Sequence, residues 1–162
     1  MGDMRLKNME ARERNFEEGW YVLKTNRNKE LFVTKRLSDF QISSYFPLLY
    51  VDSPPRRTKV IIPLFSMYVF VALRDPRQFY KARYLQGVNS LMPLGTQPVP
   101  IEEDIILFLK MCEKKDGFMH IDSLPLTRRL FSEKEWYESL CPIIQNPSSN
   151  KHRVNVLYTF FD

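Results

Sequence analysis

Few side chains in this sequence have the types and spacing that catalysis needs. The two histidines, His120 and His152, have no partner residue at a spacing typical of a catalytic pair. The acids at 102–104 are better explained by a helix start, where the helix dipole favours negative charge, than by acid–base chemistry. Cys112 falls on the apolar stripe of that helix, so we expect a core role rather than a nucleophilic one. We therefore predict that the protein is not an enzyme.

Metal and cofactor sites are not predicted either. Cys112 and Cys141 have no CxxC or Cys/His ligand spacing, which indicates a reduced, cytoplasmic setting. The chain has five glycines, and none of them forms a phosphate-binding loop. We expect no cofactor, no metal and no small-molecule substrate.

The basic side chains indicate a different chemistry, contact with phosphate groups. Lysine and arginine outnumber aspartate and glutamate by 24 to 19, which gives a net charge of +5. This mild excess permits an acidic partner such as nucleic acid without requiring one. Three cations, Arg56, Arg57 and Lys59, crowd the segment "PPRRTK" with no acid between them. Their contacts with phosphate would depend on salt, and no aromatic–basic platform in the sequence predicts base stacking or sequence readout.

An aromatic strand is predicted within the segment "IIPLFSMYVFVALRDP". Tyr68 and Phe70 lie on the face opposite Met67, Val69 and Val71, because side chains alternate along a strand. Either both faces are buried or one face is kept for a partner. Large rings are frequent anchors of protein interfaces, whereas the alternative is that the protein's own tail or terminal helix covers them.

The elements that position these residues follow from hydrophobic periodicity and turn signals. The dipeptide Asp75-Pro76 combines a capping carboxylate with a proline at the first helical position. Pro47 interrupts a strand candidate and indicates an edge or a bend. The predicted strands cover residues 20–26, 44–51, 60–65, 67–73 and 88–94, and the predicted helices cover 28–40, 76–85 and 102–112.

This order of elements predicts an α+β fold of the ferredoxin-like, split βαβ type. Such a fold has an antiparallel sheet with helices on one face and leaves the other face open. We expect a polar N-terminal tail over residues 1–19, the ferredoxin-like domain over 20–113, and a C-terminal segment with a short helix and strand over 114–162.

Three segments, "WYVLKTNRNKE", "RRTKVIIPLFSMYVFV" and "GVNSLMPLGTQPVPIEEDIILFL", occur in an order that resembles one family. They are similar to the N-terminal domain of NusG-like transcription elongation factors, most of all to the specialised RfaH and UpxY antiterminators. The resemblance covers residues 20–112. The family usually has phenylalanine, proline, a small residue and then Tyr-hydrophobic-Phe-Val in the middle segment. Phe65 and Tyr68 fit this pattern, whereas Ser66 and Met67 depart from it.

The resemblance implies a cytoplasmic, bacterial transcription elongation or antitermination factor that makes RNA polymerase more processive. Such a domain docks on the clamp helices of the largest polymerase subunit, reaches toward the second large subunit, and contacts upstream or non-template DNA. The implied polymerase-binding residues are Phe65, Tyr68, Phe70 and Leu94 at the clamp helices, with Phe79 and Tyr80 toward the second subunit. The implied nucleic-acid-binding residues are Lys24, Arg27, Lys29, Arg56, Arg57 and Lys59.

Two other functions remain open from the sequence. The first is a stand-alone nucleic-acid-binding module, because ferredoxin-like sheets often present an open face to single strands. The second is an inactive paralogue that binds polymerase and competes with an active one. No membrane partner is expected, since no apolar run approaches the roughly 20 residues that a bilayer requires.

The C-terminal segment departs from the family. NusG-like proteins usually continue into a small β-barrel, the KOW domain, which is built around a glycine-containing turn, yet no glycine follows Gly117. We expect a helix over 132–140 and a strand over 153–161, and KOW functions are not carried over. The segment would be a diverged KOW remnant, a cap on the aromatic face, or a poorly ordered tail. RfaH-like factors use their C-terminal segment to mask the dock, and we expect similar masking here. The residues expected to cover Tyr68 and Phe70 are Leu130, Phe131, Trp136 and Tyr137.

Overall fold

A computed structural model of the chain describes residues 4–5, 7, 15–53, 58–120 and 128–161. The strands are β1 (Gly19–Thr25), β2 (Ser44–Tyr45), β3 (Leu48–Ser53), β4 (Thr58–Pro63), β5 (Tyr68–Leu73), β6 (Val88–Leu91) and β7 (Met119–His120). The helices are α1 (Glu30–Asp39), α2 (Pro76–Arg83), α3 (Glu103–Met111), α4 (Arg128–Phe131), α5 (Glu135–Gln145) and α6 (Asn150–Thr159). No helix within these ranges is long and apolar enough to cross a membrane.

The central sheet has four strands in the order β2-β5-β1-β6, and every neighbouring pair is antiparallel. With α1 after β1 and α2 after β5, this arrangement confirms the predicted ferredoxin-like α+β fold. The crossover helices pack on one face of the sheet through a buried apolar cluster. Its main members are Tyr21, Leu23, Val69 and Val71 from the strands, Val33 and Leu37 from α1, and Phe79 and Ala82 from α2.

Local capping explains why α2 forms where the sequence predicts it. The Asp75 carboxylate accepts a hydrogen bond from the backbone N–H of Gln78 at 2.9 Å, and Pro76 occupies the first helical position. The chain then turns at Gly87, whose φ of +93° favours glycine, and enters β6. The elements that frame the sheet are therefore encoded locally.

A second sheet is built on the β3-β4 hairpin, which is inserted between β2 and β5, and on β7, which follows α3. It has the order β4-β3-β7, with β3 and β4 antiparallel and β7 parallel to β3. The predicted strand over 44–51 is divided into β2 and β3 at Pro47, as the proline indicated. The Pro47 carbonyl accepts a hydrogen bond from the Leu64 N–H at 3.0 Å, which closes the base of the β3-β4 hairpin.

The other face of the central sheet, to which Val22, Tyr68 and Phe70 point, is covered. It packs on helices α3, α5 and α6, which contribute Ile105, Phe108, Leu140, Ile143, Val156 and Leu157 to one buried cluster. The sequence led us to expect an open face here, because α1 and α2 occupy only one side. Helices that follow the ferredoxin-like unit provide the cover instead.

The strand predicted over 153–161 is wrong, because these residues form most of α6. The prediction rested on alternating apolar residues, which are typical of a strand. The same residues also have helical spacing: Arg153, Val156 and Leu157 share the buried side of α6. The Ser149 hydroxyl accepts the His152 N–H at 3.3 Å and caps the helix start. Packing and capping together outweigh the local preference of the valines for strands.

Candidate functional site

The candidate site is centred on residues 63–68, which connect β4 to β5. Met67 has a φ of +72°, a left-handed conformation that a non-glycine residue adopts at a cost. Its carbonyl accepts the Thr25 N–H at 2.8 Å, and its N–H donates to the nearly buried Glu30 carboxylate at 2.9 Å. The turn is therefore held in place by β1 and α1.

The three aromatic residues predicted to line a dock lie together in the structure. Phe65 and Phe70 are fully buried with ring centroids 6.0 Å apart, and Tyr68 is 4% exposed. Tyr45 on β2 extends the group, since its ring centroid lies 6.3 Å from that of Phe70. Tyr68 and Phe70 share one face of β5, as strand alternation predicts, but none of the three rings is exposed to solvent in this structure.

A buried arginine of α6 donates hydrogen bonds to the backbone of this segment. Arg153 is 6% exposed, and its Nε donates to the Leu64 carbonyl at 2.8 Å. Its two terminal nitrogens donate to the carbonyls of Pro63 at 3.3 Å and of Ser148. Burial lowers the pKa of Arg153 from its ordinary value, but a guanidinium retains its charge at neutral pH. Hydrogen bonds to these backbone carbonyls therefore offset the loss of water around the buried guanidinium charge.

Three further side chains of this C-terminal region contact the same segment. The Asn150 side-chain oxygen accepts the Ser66 N–H at 3.0 Å, and the Phe160 ring packs edge-on against Phe65 at 6.1 Å. The Tyr158 hydroxyl lies 2.6 Å from the Tyr68 hydroxyl. Burial first, and then this hydrogen bond, raises the pKa of Tyr68. We call this set of contacts the tail contact. It joins residues 63–68 to the side chains of Asn150, Arg153, Tyr158 and Phe160.

A second anchor holds α5 against α3. The Lys134 ammonium lies 3.1 Å from the Glu102 carboxylate, which also accepts the Trp136 indole N–H at 3.4 Å. The Phe108 ring on α3 contacts three rings, those of Phe131, Trp136 and Tyr137. We had expected these three aromatic residues to cover Tyr68 and Phe70, together with Leu130, which is 67% exposed. The ring and hydrogen-bond contacts of Tyr68 and Phe65 with the C-terminal region come from Tyr158 and Phe160 instead.

The remaining residues predicted to bind polymerase lie apart from the tail contact. Leu94 is 54% exposed and lines a cleft of about 500 Å³ beside β6, together with Arg83 and Tyr84. Phe79 points into the core between α2 and the sheet, where its ring lies 5.7 Å from that of Tyr21. Tyr80, on the same helix, is partly exposed. The structure therefore does not bring Leu94 into the cluster of Phe65, Tyr68 and Phe70.

The basic residues predicted to contact nucleic acid fall into two groups. Lys24, Arg27 and Lys29 lie at the end of β1 and in the connection to α1, where Arg27 and Lys29 are exposed. Lys59 is exposed on β4, and its ammonium lies 5.3 Å from the centre of the Tyr50 ring. Arg56 and Arg57 lie outside the described residues.

Comparison with known proteins identifies the family. The family described as "Transcription termination factor nusG" matches residues 18–110, which is more than half of the chain. The protein belongs to the NusG family. A solved structure titled "Domain interaction in Thermotoga maritima NusG" is 22% identical, with a TM-score of 0.37. The match covers 54% of this chain and 52% of that chain, so the sequence spans about half the length of the solved relative. No curated protein matches the chain.

The NusG-family match ends within α3, so α5 and α6 lie beyond it. The tail contact therefore joins the region of the family match to residues outside it. Sequence reasoning missed Asn150, Arg153, Tyr158 and Phe160, all of which fell in the predicted loop and strand. The signal that would have found them is the Ser149 cap followed by residues with helical spacing.

The residues that could have performed chemistry have structural roles here. Cys112 is fully buried, and burial raises the pKa of its thiol to about 12, so the thiol is protonated at neutral pH. The acids at 102–104 lie at the start of α3, and Glu102 and Asp104 are ion-pair partners of Lys134. Across the described ranges, no group of three or more histidine, cysteine or acidic residues could hold a metal.

Proposed function

We propose that this chain is a bacterial, cytoplasmic elongation or antitermination factor that binds RNA polymerase and makes it more processive. NusG-family proteins generally bind RNA polymerase, and the family match covers the whole ferredoxin-like sheet. The observation that carries the proposal is the clustering of Phe65, Tyr68 and Phe70 at one end of β5. Rings grouped in this way supply the apolar anchor that a docking interface requires.

The proposed dock is masked in the free protein. The tail contact covers Phe65 and Tyr68, so the clamp helices of the largest polymerase subunit can reach these rings only after α6 moves away. A masked dock lowers apparent affinity by the fraction of open molecules. Masking also keeps a large aromatic surface from associating with other proteins before polymerase is reached.

The other proposed contacts lie on separate parts of the surface. Tyr80 and the backbone of Phe79 would face the second large subunit, and Leu94 would face the clamp helices. Arg27 and Lys29, with Lys24 beside them, would contact phosphates of upstream or non-template DNA. The mechanism is docking and bridging without a chemical step, and the processivity comes from holding the polymerase on its template.

A pull-down with purified core polymerase in the absence of nucleic acid tests both parts of the proposal. Weak retention is expected for the wild type, and stronger retention for Asn150→Ala, which removes one bond of the tail contact. Asn155→Ala is the matched control, because Asn155 is exposed on the same helix. Adding Tyr68→Ala and Phe70→Ala to the Asn150→Ala protein should abolish retention while circular dichroism shows a folded chain.

The outcomes separate docking from masking. Equal retention of wild type, Asn150→Ala and Asn155→Ala, with loss on ring removal, would support the dock and contradict the mask. Retention that survives removal of both rings in a folded protein would contradict the dock itself. A run-off assay past a terminator then distinguishes an active factor, which increases read-through, from a competing paralogue, which does not.

A further inference from the structure

We propose that the outward face of the β4-β3-β7 sheet binds single-stranded nucleic acid by stacking bases on Tyr50, Phe118 and His120. This site goes beyond the proposed function, because it needs neither polymerase nor an open tail contact. It also differs from the phosphate contacts expected of the basic loops, since rings rather than charges would provide most of the binding.

Strand pairing brings the three rings together from distant parts of the sequence. Tyr50 on β3 lies beside His120 on β7 in the parallel register, and opposite Ile61 on β4. The neighbours Leu49 and Met119 are fully buried and point into the core. Because side chains alternate along strands, Tyr50 and His120 point to the opposite face. Among the described residues, neither belongs to a buried apolar cluster that includes a helix.

The three rings form a row on this face of the sheet. The Phe118 ring is nearly parallel to that of Tyr50, with centroids 6.1 Å apart and an interplanar angle of 15°. The His120 ring centroid lies 5.1 Å from that of Tyr50. All three residues are partly exposed, and the His120 side chain is 15% exposed. Sheets that present aromatic rings in this way stack bases of single strands.

The loop before β7 holds the row in place. The Asp116 carboxylate accepts the Phe118 N–H at 2.9 Å, and its other oxygen lies 2.7 Å from His120 Nε2. These two contacts fix the backbone at Phe118 and the orientation of the imidazole. A prearranged row of rings binds a flexible strand with less loss of entropy than mobile side chains would.

Charge favours nucleic acid over a protein partner on this face. The Lys59 ammonium lies 5.3 Å from the centre of the Tyr50 ring, in reach of a backbone phosphate beside a stacked base. Lys115 is exposed in the loop before β7, and the chain as a whole has a net charge of +5. Among the described residues, the acids near the row are Asp52, which lies opposite Lys59 in the strand register, and Asp116, which is engaged with His120. A ring row bordered by lysines matches a strand of bases and phosphates.

Fluorescence anisotropy with labelled oligo(dT) and oligo(U), each of roughly 12 nucleotides, tests the site on the full chain without polymerase. We expect both strands to bind at low salt, and Tyr50→Ala and Phe118→Ala to weaken binding by about tenfold each. Tyr50→Phe keeps the ring and should bind like the wild type. Tyr84→Ala is the matched control, because Tyr84 is 70% exposed on another part of the surface.

Each result has one meaning. Tighter binding of one of the two strands supports the site and identifies RNA or DNA as its ligand. Wild-type binding by both alanine variants, or equal binding of a duplex of the same length, would overturn the proposal. Absence of binding by the wild-type protein would also overturn it and leave the ring face to a protein partner. The polymerase pull-down does not depend on binding at this ring row. Failure of the nucleic-acid proposal is therefore distinguishable from failure of the proposed polymerase dock.

Discussion

The backbone N–H of Ser66 donates a hydrogen bond to the side-chain oxygen of Asn150, 84 residues later in the chain, at 3.0 Å. In the family pattern that this sequence resembles, the position after Phe65 is a proline, which has no N–H to donate. The departure from the pattern therefore coincides with a bond of the tail contact. It connects an unusual residue in the proposed dock to the helix that covers the dock.

Removing this bond should loosen α6 without unfolding the sheet. A single hydrogen bond contributes about 1 kcal/mol, so Asn150→Ala should speed local opening of α6 by roughly fivefold. Hydrogen exchange of the α6 amides measures the opening, and Asn155→Ala on the exposed side of the helix should leave it unchanged. Exchange that rises equally in α6 and in β1 would mean global destabilisation and would contradict a local role.

Replacing Arg153 should cost more than any other single change in the tail contact. Arg153→Met keeps much of the apolar stem but leaves the carbonyls of Pro63 and Leu64 without their donor. We expect a loss of about 2–4 kcal/mol in the free energy of unfolding, measured by urea denaturation. Lys151→Met on the exposed side of α6 is the control. A loss below about 0.5 kcal/mol, the range of ordinary surface substitutions, would show that the guanidinium bonds contribute little.

The hydroxyl pair of Tyr68 and Tyr158 should behave as a coupled unit. Tyr158→Phe leaves the buried Tyr68 hydroxyl without its partner, and Tyr68→Phe leaves Tyr158 free to bond with water, since Tyr158 is 39% exposed. Tyr158→Phe should therefore destabilise the protein more than Tyr68→Phe does. The double variant should lose less than the sum of the two, by roughly 0.5 kcal/mol or more. Additive losses in a double-mutant cycle would indicate that the hydroxyls do not interact.

Stability should fall in alkaline solution because two buried tyrosines resist ionisation. The pKa of Tyr68 is raised by burial and by Tyr158, and that of Tyr45 by burial and by its hydrogen bond to Glu113. A raised pKa in the folded state stabilises the protein below the unfolded pKa of about 10. That contribution is lost as pH rises above about 10, where the unfolded chain releases protons that the folded chain retains.

The measurement is the free energy of unfolding by urea at pH 8 and at pH values above about 10. Tyr68→Phe and Tyr45→Phe should each reduce the alkaline loss, because phenylalanine has no proton to release. Tyr84→Phe serves as the control, since Tyr84 is largely exposed. An unchanged pH profile in both buried-site variants would show that other groups cause the alkaline loss.

The basic connection after β1 should affect polymerase binding only when nucleic acid is present. Removing one phosphate contact lowers the slope of log affinity against log salt by about 0.7–0.9. Arg27→Ala should show this change in the complex with polymerase on a nucleic-acid scaffold, and no change with core polymerase alone. Lys35→Ala, an exposed cation on α1, is the comparison. An equal effect of both substitutions would indicate general charge rather than a contact at Arg27.

The sequence predicts the ferredoxin-like sheet well because its signals are local. Pro47 divides two strands, and Asp75-Pro76 starts α2, each through the behaviour of one or two residues. The position of Tyr68 and Phe70 on one face of β5 follows from alternation alone. The burial of Phe79 follows instead from the helical spacing of α2, once the helix is assigned to a face of the sheet. The family resemblance implied a polymerase contact at this residue, which helical spacing does not predict.

The cover over the aromatic face is not predictable in this way. It depends on contacts between residues 63–68 and α6, such as that of Leu64 with Arg153, that are separated by more than 80 positions. Local alternation in "RVNVLYTFF" favours a strand, and the apolar surface that α6 buries, together with the Ser149 cap, makes a helix the more stable structure. The ring row of Tyr50, Phe118 and His120 was missed for the same reason, since β7 has only two residues and pairs with a strand far away.

Most polar bonds of the tail contact end on peptide groups rather than on side chains. Asn150 and Arg153 reach the main-chain atoms of Pro63, Leu64 and Ser66. Amino-acid changes at these three positions thus leave most acceptors and donors in place, unless a proline removes the N–H of residue 66. In the proposed masked dock, a helix held by main-chain hydrogen bonds tolerates sequence change in the surface beneath it, so that surface can diversify while α6 still covers it.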